Sequence, residues 1–325
     1  MHITIAICTH NRAPMLRDTL QSLLAMESDI PGSYDVLVVD NNSTDATSQI
    51  VSEFSEKSPT QIWYYFEAKT GLVHARNAAI ETARGDIIAF TDDDIFFDSQ
   101  WLKALYRVFE THPAIDCVAG KVVPLFEAPR PDWLDQDPEW LNIGGMYGTT
   151  NFGETDRVLT YPEHPVGANM AFRRRTFSLV GHFDPSLGRY GKSLLSKEES
   201  ELFERIYRAR LTTFYSSQAR VVHRIPSERI GRKWIIRRFY WQGRSQVIFE
   251  NKISAQDRTL LLTAIKTDLV GIWRVVVGGS VAPRAIYWQL RRLRFWHAVY
   301  LVQVIGSLME RLKYMLKAVP KNRES

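Results

Sequence analysis

From residue 1 to residue 92 one pattern recurs: a short run rich in β-branched residues, a polar turn, and a stretch whose apolar residues fall on one helical face. This recurrence is the strongest constraint on the fold, because strand, helix and strand in succession close most readily as βαβ units in a parallel sheet. Ile3 to Ile7 reads as the first strand, and Leu16, Leu20, Leu23 and Leu24 share one face of the helix after it. Val36 to Val39 is a second strand, apolar throughout as a strand covered on both faces should be. Ser43 and Thr44 are placed to cap a helix reaching Phe54, Trp63 to Phe66 is a third strand, Val73 to Ala83 is helical, and Asp86 to Thr91 is a fourth strand. The expected class is α/β, a sheet flanked by helices.

In open α/β sheets ligands collect outside the carboxyl ends of the parallel strands. The first strand here exits into Thr9-His10-Asn11-Arg12, the second into Asp40-Asn41-Asn42-Ser43-Thr44-Asp45, and the fourth into Asp92-Asp93-Asp94, so three strand ends converge on one polar crevice. Three consecutive aspartates repel one another unless a cation neutralises them, and oxygen ligands suit Mg²⁺ or Mn²⁺. The competing reading is that the acids cap the following helix, Ser99 to Glu110, and are merely solvated; their position after the buried run Ile87 to Phe90 favours the metal. Asp40 before Asn-Asn-Ser is ordinary turn chemistry. In a nucleotide crevice, however, its carboxylate can accept an N–H from a pyrimidine ring, while Asn11 and Arg12 meet the base and the phosphates.

Beyond the fourth strand the texture changes. Leu125 to Pro165 is rich in Pro, Trp, Gly and acids, and reads as a functional insertion, a lid, in which Trp133 and Trp140 either stack on a bound ligand or pack the lid itself. Val166 to His223 returns to order, with a helix near Glu199 to Arg208 turning Leu202, Phe203 and Ile206 inward, then short strands. After Pro226 the pattern is helical and basic: residues 226 to 325 hold 19 Lys/Arg against 6 Asp/Glu, a balance of +13, which leaves −8 for the remainder of a chain whose net charge is +5. Such a tail fits an anionic surface, a face of the catalytic domain, or a contact within a homodimer. The longest stretch there without a charged residue, Phe295 to Met309, has 15 residues, short of the roughly 20 that span a bilayer. The start carries no basic n-region or cleavage site, and Cys8 and Cys117 both lie in apolar strand-like runs, which fits a reducing, cytoplasmic setting, with peripheral contact at the inner face of the cell membrane.

The succession THNR, VVDNNSTD, GLVHARNAA and TDDD, continued by VGANMAFRR at 166 to 174, FDPSLGRYGKSLLSKEESEL at 183 to 202 and VVHRIP at 221 to 226, resembles glycosyltransferase family 2. The resemblance implies a Rossmann-like GT-A domain over residues 1–225, followed by a basic, aromatic-rich helical region over 226–325. It implies inverting transfer from a nucleotide-sugar donor, UDP-sugar favoured, to a saccharide or lipid-linked acceptor in cell-surface polysaccharide synthesis. Thr9, Asn11, Arg12 and Asp40 would hold the nucleotide, and Arg76 and Asn77 the donor phosphates or sugar. Asp93 would face the ribose or diphosphate and Asp94 the metal, Mn²⁺ or Mg²⁺, with Asp92 more structural; Gly167-Ala168-Asn169 would line the donor-sugar pocket. The catalytic base maps to Glu199, where most members carry Asp; Glu198 and Glu201 stay open as alternatives, because acids in a first helical turn are favoured by the macrodipole alone. His223 would be a further metal ligand or diphosphate contact, and Gly188 to Lys197 a segment that orders over bound donor.

Two other classes compete. A sugar nucleotidyltransferase shares the sheet and metal but needs a glycine-rich loop after the first strand, where this chain has THNRAP. A non-catalytic sugar- or nucleic-acid-binding protein would use the basic tail and would not need Asp94 together with Glu199. No nucleic-acid partner is expected.

Overall fold

The computed structural model of the chain describes residues 1–26, 30, 33–134, 143–253, 258–278 and 287–318. Strands β1 (Ile3–Thr9), β2 (Tyr34–Asp40), β3 (Ile62–Phe66) and β4 (Ile87–Asp92) alternate with helices α1 (Ala13–Leu24), α2 (Thr47–Lys57) and α3 (Leu72–Thr82). The four strands lie side by side as β3-β2-β1-β4, all parallel. The chain continues through β5 (Ile95–Phe97), α4 (Trp101–Thr111), β6 (Cys117–Phe126), α5 (Ile143–Met146), β7 (Arg157–Val158), β8 (Met170–Arg173), α6 (Arg175–Val180), α7 (Glu198–Arg208) and β9 (Thr213–Ile225). These strands extend the sheet as β4-β8-β6-β9-β5, with β8 antiparallel to both neighbours and β7 paired to β9. The result is a mixed sheet flanked by helices, as expected.

Alternation of side chains along the strands explains why both faces are covered. Ile3, Ile5 and Ile7 of β1 turn to one face, where Leu16, Leu20 and Leu23 of α1 and Leu102, Leu105 and Phe109 of α4 bury them. Ala6, Leu37, Ile88 and Phe90 turn to the other, under Val73, Ala78 and Ala79 of α3 and Leu202, Phe203 and Ile206 of α7. Phe90 meets Phe172, Phe177 and Phe183 edge-on, with ring centroids 5.9 to 6.4 Å apart.

Several local expectations are corrected. Ser43 and Thr44 do not cap α2; the Asp45 carboxylate accepts the Thr47 N–H at 3.1 Å, because Ser43 and Thr44 are engaged by Asn11. No acid of the triplet caps α4, since β5 intervenes and Asp98 accepts the Gln100 N–H instead. The short strands expected after α7 are one strand of 13 residues whose pairing with β6 shifts register at Gly120/Lys121. The stretch after β6 is fastened to the sheet: Thr150 bridges to Val122, Leu159 packs with Ala119 and Tyr215, and β7 pairs with β9. Cys8 and Cys117 are free thiols.

The chain forms two compact units: 1–127 with 142–191 and 198–226, and 227–325 with 128–141 and 192–197. The second unit contains α8 (Arg232–Ile253), α9 (Arg258–Gly278) and α10 (Tyr287–Ala318). Helices α8 and α10 touch backbone to backbone, since a Cβ on Gly243 would lie 2.0 Å from the Gln303 carbonyl oxygen and one on Gly306 2.1 Å from that of Tyr240. Half-buried pairs, Arg244 with Glu310 at 2.7 Å and Arg311 with Asp268 at 2.9 Å, lace the helices together. Trp133 packs against Phe295 and Trp296 beneath the Arg232 guanidinium, which is a packing role; Trp140 lies outside the described residues. Residues 192–197 are bonded within this unit, with Arg238 donating to the Leu194 carbonyl and the Ser245 hydroxyl accepting the Ser196 N–H. Among the described residues, no helix is long and apolar enough to cross a membrane.

Candidate active site

The acidic triplet sits at the end of β4, on a turn held from beneath by α1. The Thr19 hydroxyl donates to the Asp93 carbonyl at 2.8 Å and accepts the Ile95 N–H at 3.1 Å, so one buried side chain fixes both sides of the turn. Strand β9 then closes on β5 with His223 opposite Ile95, and the Arg224 N–H donates to the Asp94 carbonyl at 2.9 Å. Strand pairing therefore delivers His223 to Asp94, with Nε2 3.2 Å from Oδ1. The other ring nitrogen, Nδ1, lies 2.8 Å from the Tyr147 carbonyl oxygen. A carbonyl can only accept, which assigns a proton to Nδ1 and turns Nε2 towards the acids.

Asp92, Asp94 and His223 each offer one ligand atom, and these atoms lie within 4.8 Å of one another. Two carboxylates and an imidazole whose far nitrogen is already engaged form a ligand set fit for a divalent cation. Asp92, expected to be mainly structural, is thus part of the ligand group and the most exposed of the three acids.

Thr9 and Arg12 were expected on the nucleotide, but they turn towards the acids. The Thr9 hydroxyl donates to Asp93 Oδ2 at 2.7 Å, and the Arg12 guanidinium straddles Asp93 Oδ1 at 2.5 Å and Asp94 Oδ2 at 2.6 Å. Burial pushes the Asp93 carboxyl up to about 7 against the pull of Arg12. Asn11, in the left-handed region with φ 52°, accepts the Thr44 N–H at 2.7 Å, and its own N–H reaches the Ser43 hydroxyl at 2.9 Å, so the loops after β1 and β2 are tied together. Asp40 is buried; it accepts the Ser43 N–H at 2.8 Å and the Tyr64 hydroxyl proton at 2.8 Å. Burial and the bond to Asp40 push the Tyr64 phenol up to about 12. Tyr64 was not foreseen, because within Trp63-Tyr64-Tyr65-Phe66 it carries no signal beyond that of a strand.

Across from the triplet stands the acidic pair that opens α7. Arg76, fully enclosed in α3, places Nη1 3.0 Å from Glu199 Oε1 and 3.3 Å from Glu198 Oε1, while Nη2 lies 3.8 Å from Asp92 Oδ1. One guanidinium therefore spans both acidic groups. Gly167 is required by this packing: its N–H lies 3.2 Å from Glu199 Oε1, and a Cβ there would fall 1.8 Å from Arg76 Nη2. Burial, reinforced by the charge on Glu199, raises the Glu198 carboxyl to about 7. Burial is the largest single influence on Glu199 and acts to raise it, but the charge and hydrogen bond of Arg76, a backbone hydrogen bond and the nearby His164 together outweigh it and hold that carboxyl below its usual range. Glu199 is also the more open of the two, its side chain 17% exposed against 4% for Glu198. Glu201 is bound to Arg205 at 2.7 Å, away from this constellation.

Two expected donor contacts have structural partners instead. Asn169 donates to the Lys121 and Ala219 carbonyls at 3.1 and 2.8 Å and accepts the Trp101 indole N–H at 2.9 Å, joining β6, β9 and α4 where the register shifts. Asn77 exchanges two hydrogen bonds with the Phe183 backbone, at 2.9 and 3.0 Å.

Comparison with known proteins gives the family and the fold. The Glycosyl transferase family 2 model matches residues 4–179. A glucosyl-dolichyl phosphate glucuronosyltransferase of Haloferax volcanii is 27% identical over 257 residues, covering 77% of this chain and 78% of its own. The succinoglycan biosynthesis protein ExoM of Rhizobium meliloti is 28% identical over 246 residues, covering 75% and 74%. Among solved structures, mannosyltransferase PcManGT of Pyrobaculum calidifontis, in complex with GDP-Man and Mn²⁺, superposes with a TM-score of 0.60 at 17% identity, over 97% of this chain and 87% of that one. The architecture is the GT-A fold.

Proposed function

The chain belongs to glycosyl transferase family 2, and on that premise we propose that it is an inverting enzyme carrying a sugar from a UDP-sugar to a hydroxyl of a saccharide or lipid-linked acceptor. The observation that carries this reading is the pair of acidic groups bridged by Arg76, one fit to hold a divalent ion and the other presenting Glu199. Glu199 takes the proton of the attacking hydroxyl, a contribution of about 10² to 10⁴ in rate. Glu198 lies behind it, buried and inclined to hold its proton, and Arg76 fixes the direction of the base. Mn²⁺ or Mg²⁺ held by Asp92, Asp94 and His223 would offset the charge developing on the departing diphosphate. With one base facing the acceptor, an α-linked donor gives a β-linked product.

The choice of UDP rests on Asp40, whose oxygens keep lone pairs beyond those taken by Ser43 and Tyr64 and can accept a pyrimidine N–H. A lipid-linked or polysaccharide acceptor is supported by the activities named for the Haloferax and Rhizobium relatives. It is also supported by α10, where exposed Ile305, Met309, Leu312 and Leu316 form one stripe at helical spacing beside Lys313, a face suited to lying on the inner surface of the cell membrane. The test has two parts: thermal stabilisation by a panel of UDP- and GDP-sugars with and without Mn²⁺ in wild type and Asp94→Asn, and NMR of the product anomer. Mn²⁺-dependent stabilisation by a UDP-sugar, lost in Asp94→Asn, with a β-linked product, is the expected result. A retained anomeric configuration, or nucleotide binding indifferent to metal and to Asp94, would overturn it.

A further inference from the structure

Arg12 stands in an unusual place for a cation. It lies against the group of acids that would itself take a cation, and its guanidinium makes contacts of 2.5 and 2.6 Å with Asp93 and Asp94. The two oxygens of Asp94 face different ways: Oδ2 receives Arg12, while Oδ1 lies 3.2 Å from His223 Nε2. The other arm of the fork is anchored just as firmly, since Asp93 is held by the Thr9 hydroxyl on its carboxylate and by Thr19 on its carbonyl. We infer that Arg12 is a positioning residue for the metal site: by gripping Asp94 Oδ2 and Asp93 together, it keeps Asp94 Oδ1 turned towards His223 as a one-oxygen ligand. This rests on Asp94 and His223 being ligands, and it gives Arg12 a task different from contact with nucleotide or phosphate.

Two physical effects of Arg12 have opposite signs. Coulomb repulsion alone makes it unfavourable to a neighbouring divalent ion, so removing its charge should tighten metal binding. Orientation of a ligand carboxylate by an outer partner has the opposite consequence, and losing such a partner typically weakens metal affinity 10- to 100-fold. The planar fork decides in favour of orientation, because it satisfies two carboxylates at once in a geometry that a single ammonium cannot copy.

The experiment is titration of the full-length protein with Mn²⁺ alone, free aqueous Mn²⁺ being read by its electron paramagnetic resonance signal, for wild type, Arg12→Ala and Arg12→Lys. Thermal unfolding of each metal-free protein establishes that it is folded, and Arg12→Lys, which retains the charge, serves as the milder variant. The expected outcome is Mn²⁺ affinity about 10- to 100-fold weaker in both variants. Wild-type affinity in Arg12→Lys with tighter binding in Arg12→Ala would show that only charge matters and would overturn the inference. Absence of Mn²⁺ binding by wild type would remove the metal reading itself and this inference with it, a failure distinguishable from the first.

Discussion

Two runs of neighbouring acids, Asp92 to Asp94 after β4 and Glu198-Glu199 at the start of α7, are held by two arginines, Arg12 on the first and Arg76 on the second with a reach to Asp92, and these differ in how deeply they are enclosed. The Arg12 side chain is 27% exposed, on a loop that opens α1, whereas Arg76 is 3% exposed in the middle of α3. Arg12 borders solvent beside its two acids, whereas Arg76 is enclosed among three, with Glu199 at 3.0 Å, Glu198 at 3.3 Å and Asp92 at 3.8 Å. The difference suits the proposed chemistry, in which a base needs a fixed direction and a metal group must admit a diphosphate.

The largest effect expected from this contrast is on stability. Arg76→Met strips Glu198 and Glu199 of the cation that contacts them and should cost about 3–5 kcal/mol in denaturant unfolding, while Arg12→Ala should cost distinctly less; equal costs would erase the distinction. Next comes Glu198. Its folded pKa of about 7 stands above the ordinary glutamate value of about 4.3. Below the lower value both states are protonated and nothing is lost. Between the two, the unfolded chain releases the proton while the folded chain keeps it, so stability falls as pH rises, by about 4 kcal/mol at most, and then levels off. Asp93, also pushed up to about 7, adds a slope of the same sign, so Glu198→Gln should reduce the slope without abolishing it; an unchanged slope would mean that Glu198 is not the protonated member of the pair.

Smaller again is Gly167→Ala, whose Cβ would collide with Arg76 Nη2 and displace the Arg76–Glu199 contact. Turnover should fall about 10²-fold, with donor-induced thermal stabilisation preserved. Full activity would show that the base tolerates movement. The smallest is Tyr64→Phe, which removes one half-exposed donor from Asp40 and should cost about 1 kcal/mol of stability.

How much of this was legible in the sequence depends on the distance over which each signal acts. Strands β1, β2 and β4 were readable because coverage on both faces forces an apolar run, and the triplet after β4 announced its position by following one, whereas β3, with Tyr64, Tyr65 and Phe66 exposed, was readable from its aromatic residues. Glu199 and His223 could be named only through resemblance, since what gives them meaning is long-range: β9 closing on β5, and α3 placing Arg76 beside α7. The partners of Asn77 and Asn169 were hidden for the same reason. An asparagine inside a recognisable motif serves a ligand or a backbone equally well, and only the fold reveals that Asn169 holds three elements together. Trp133 similarly finds its partners in Phe295 and Trp296, far along the chain, where no local pattern points.

The central claim is that the two glutamates of α7 have different jobs, and the most direct test is the single-turnover rate of transfer for Glu199→Gln beside Glu198→Gln, each with donor-induced thermal stabilisation recorded on the same protein. The account predicts a fall of about 10² to 10⁴ for Glu199→Gln with donor stabilisation intact, and a rate within about tenfold of wild type for Glu198→Gln, whose amide copies the protonated carboxyl. Near-normal transfer by Glu199→Gln, or the same loss appearing in Glu198→Gln instead, would contradict it.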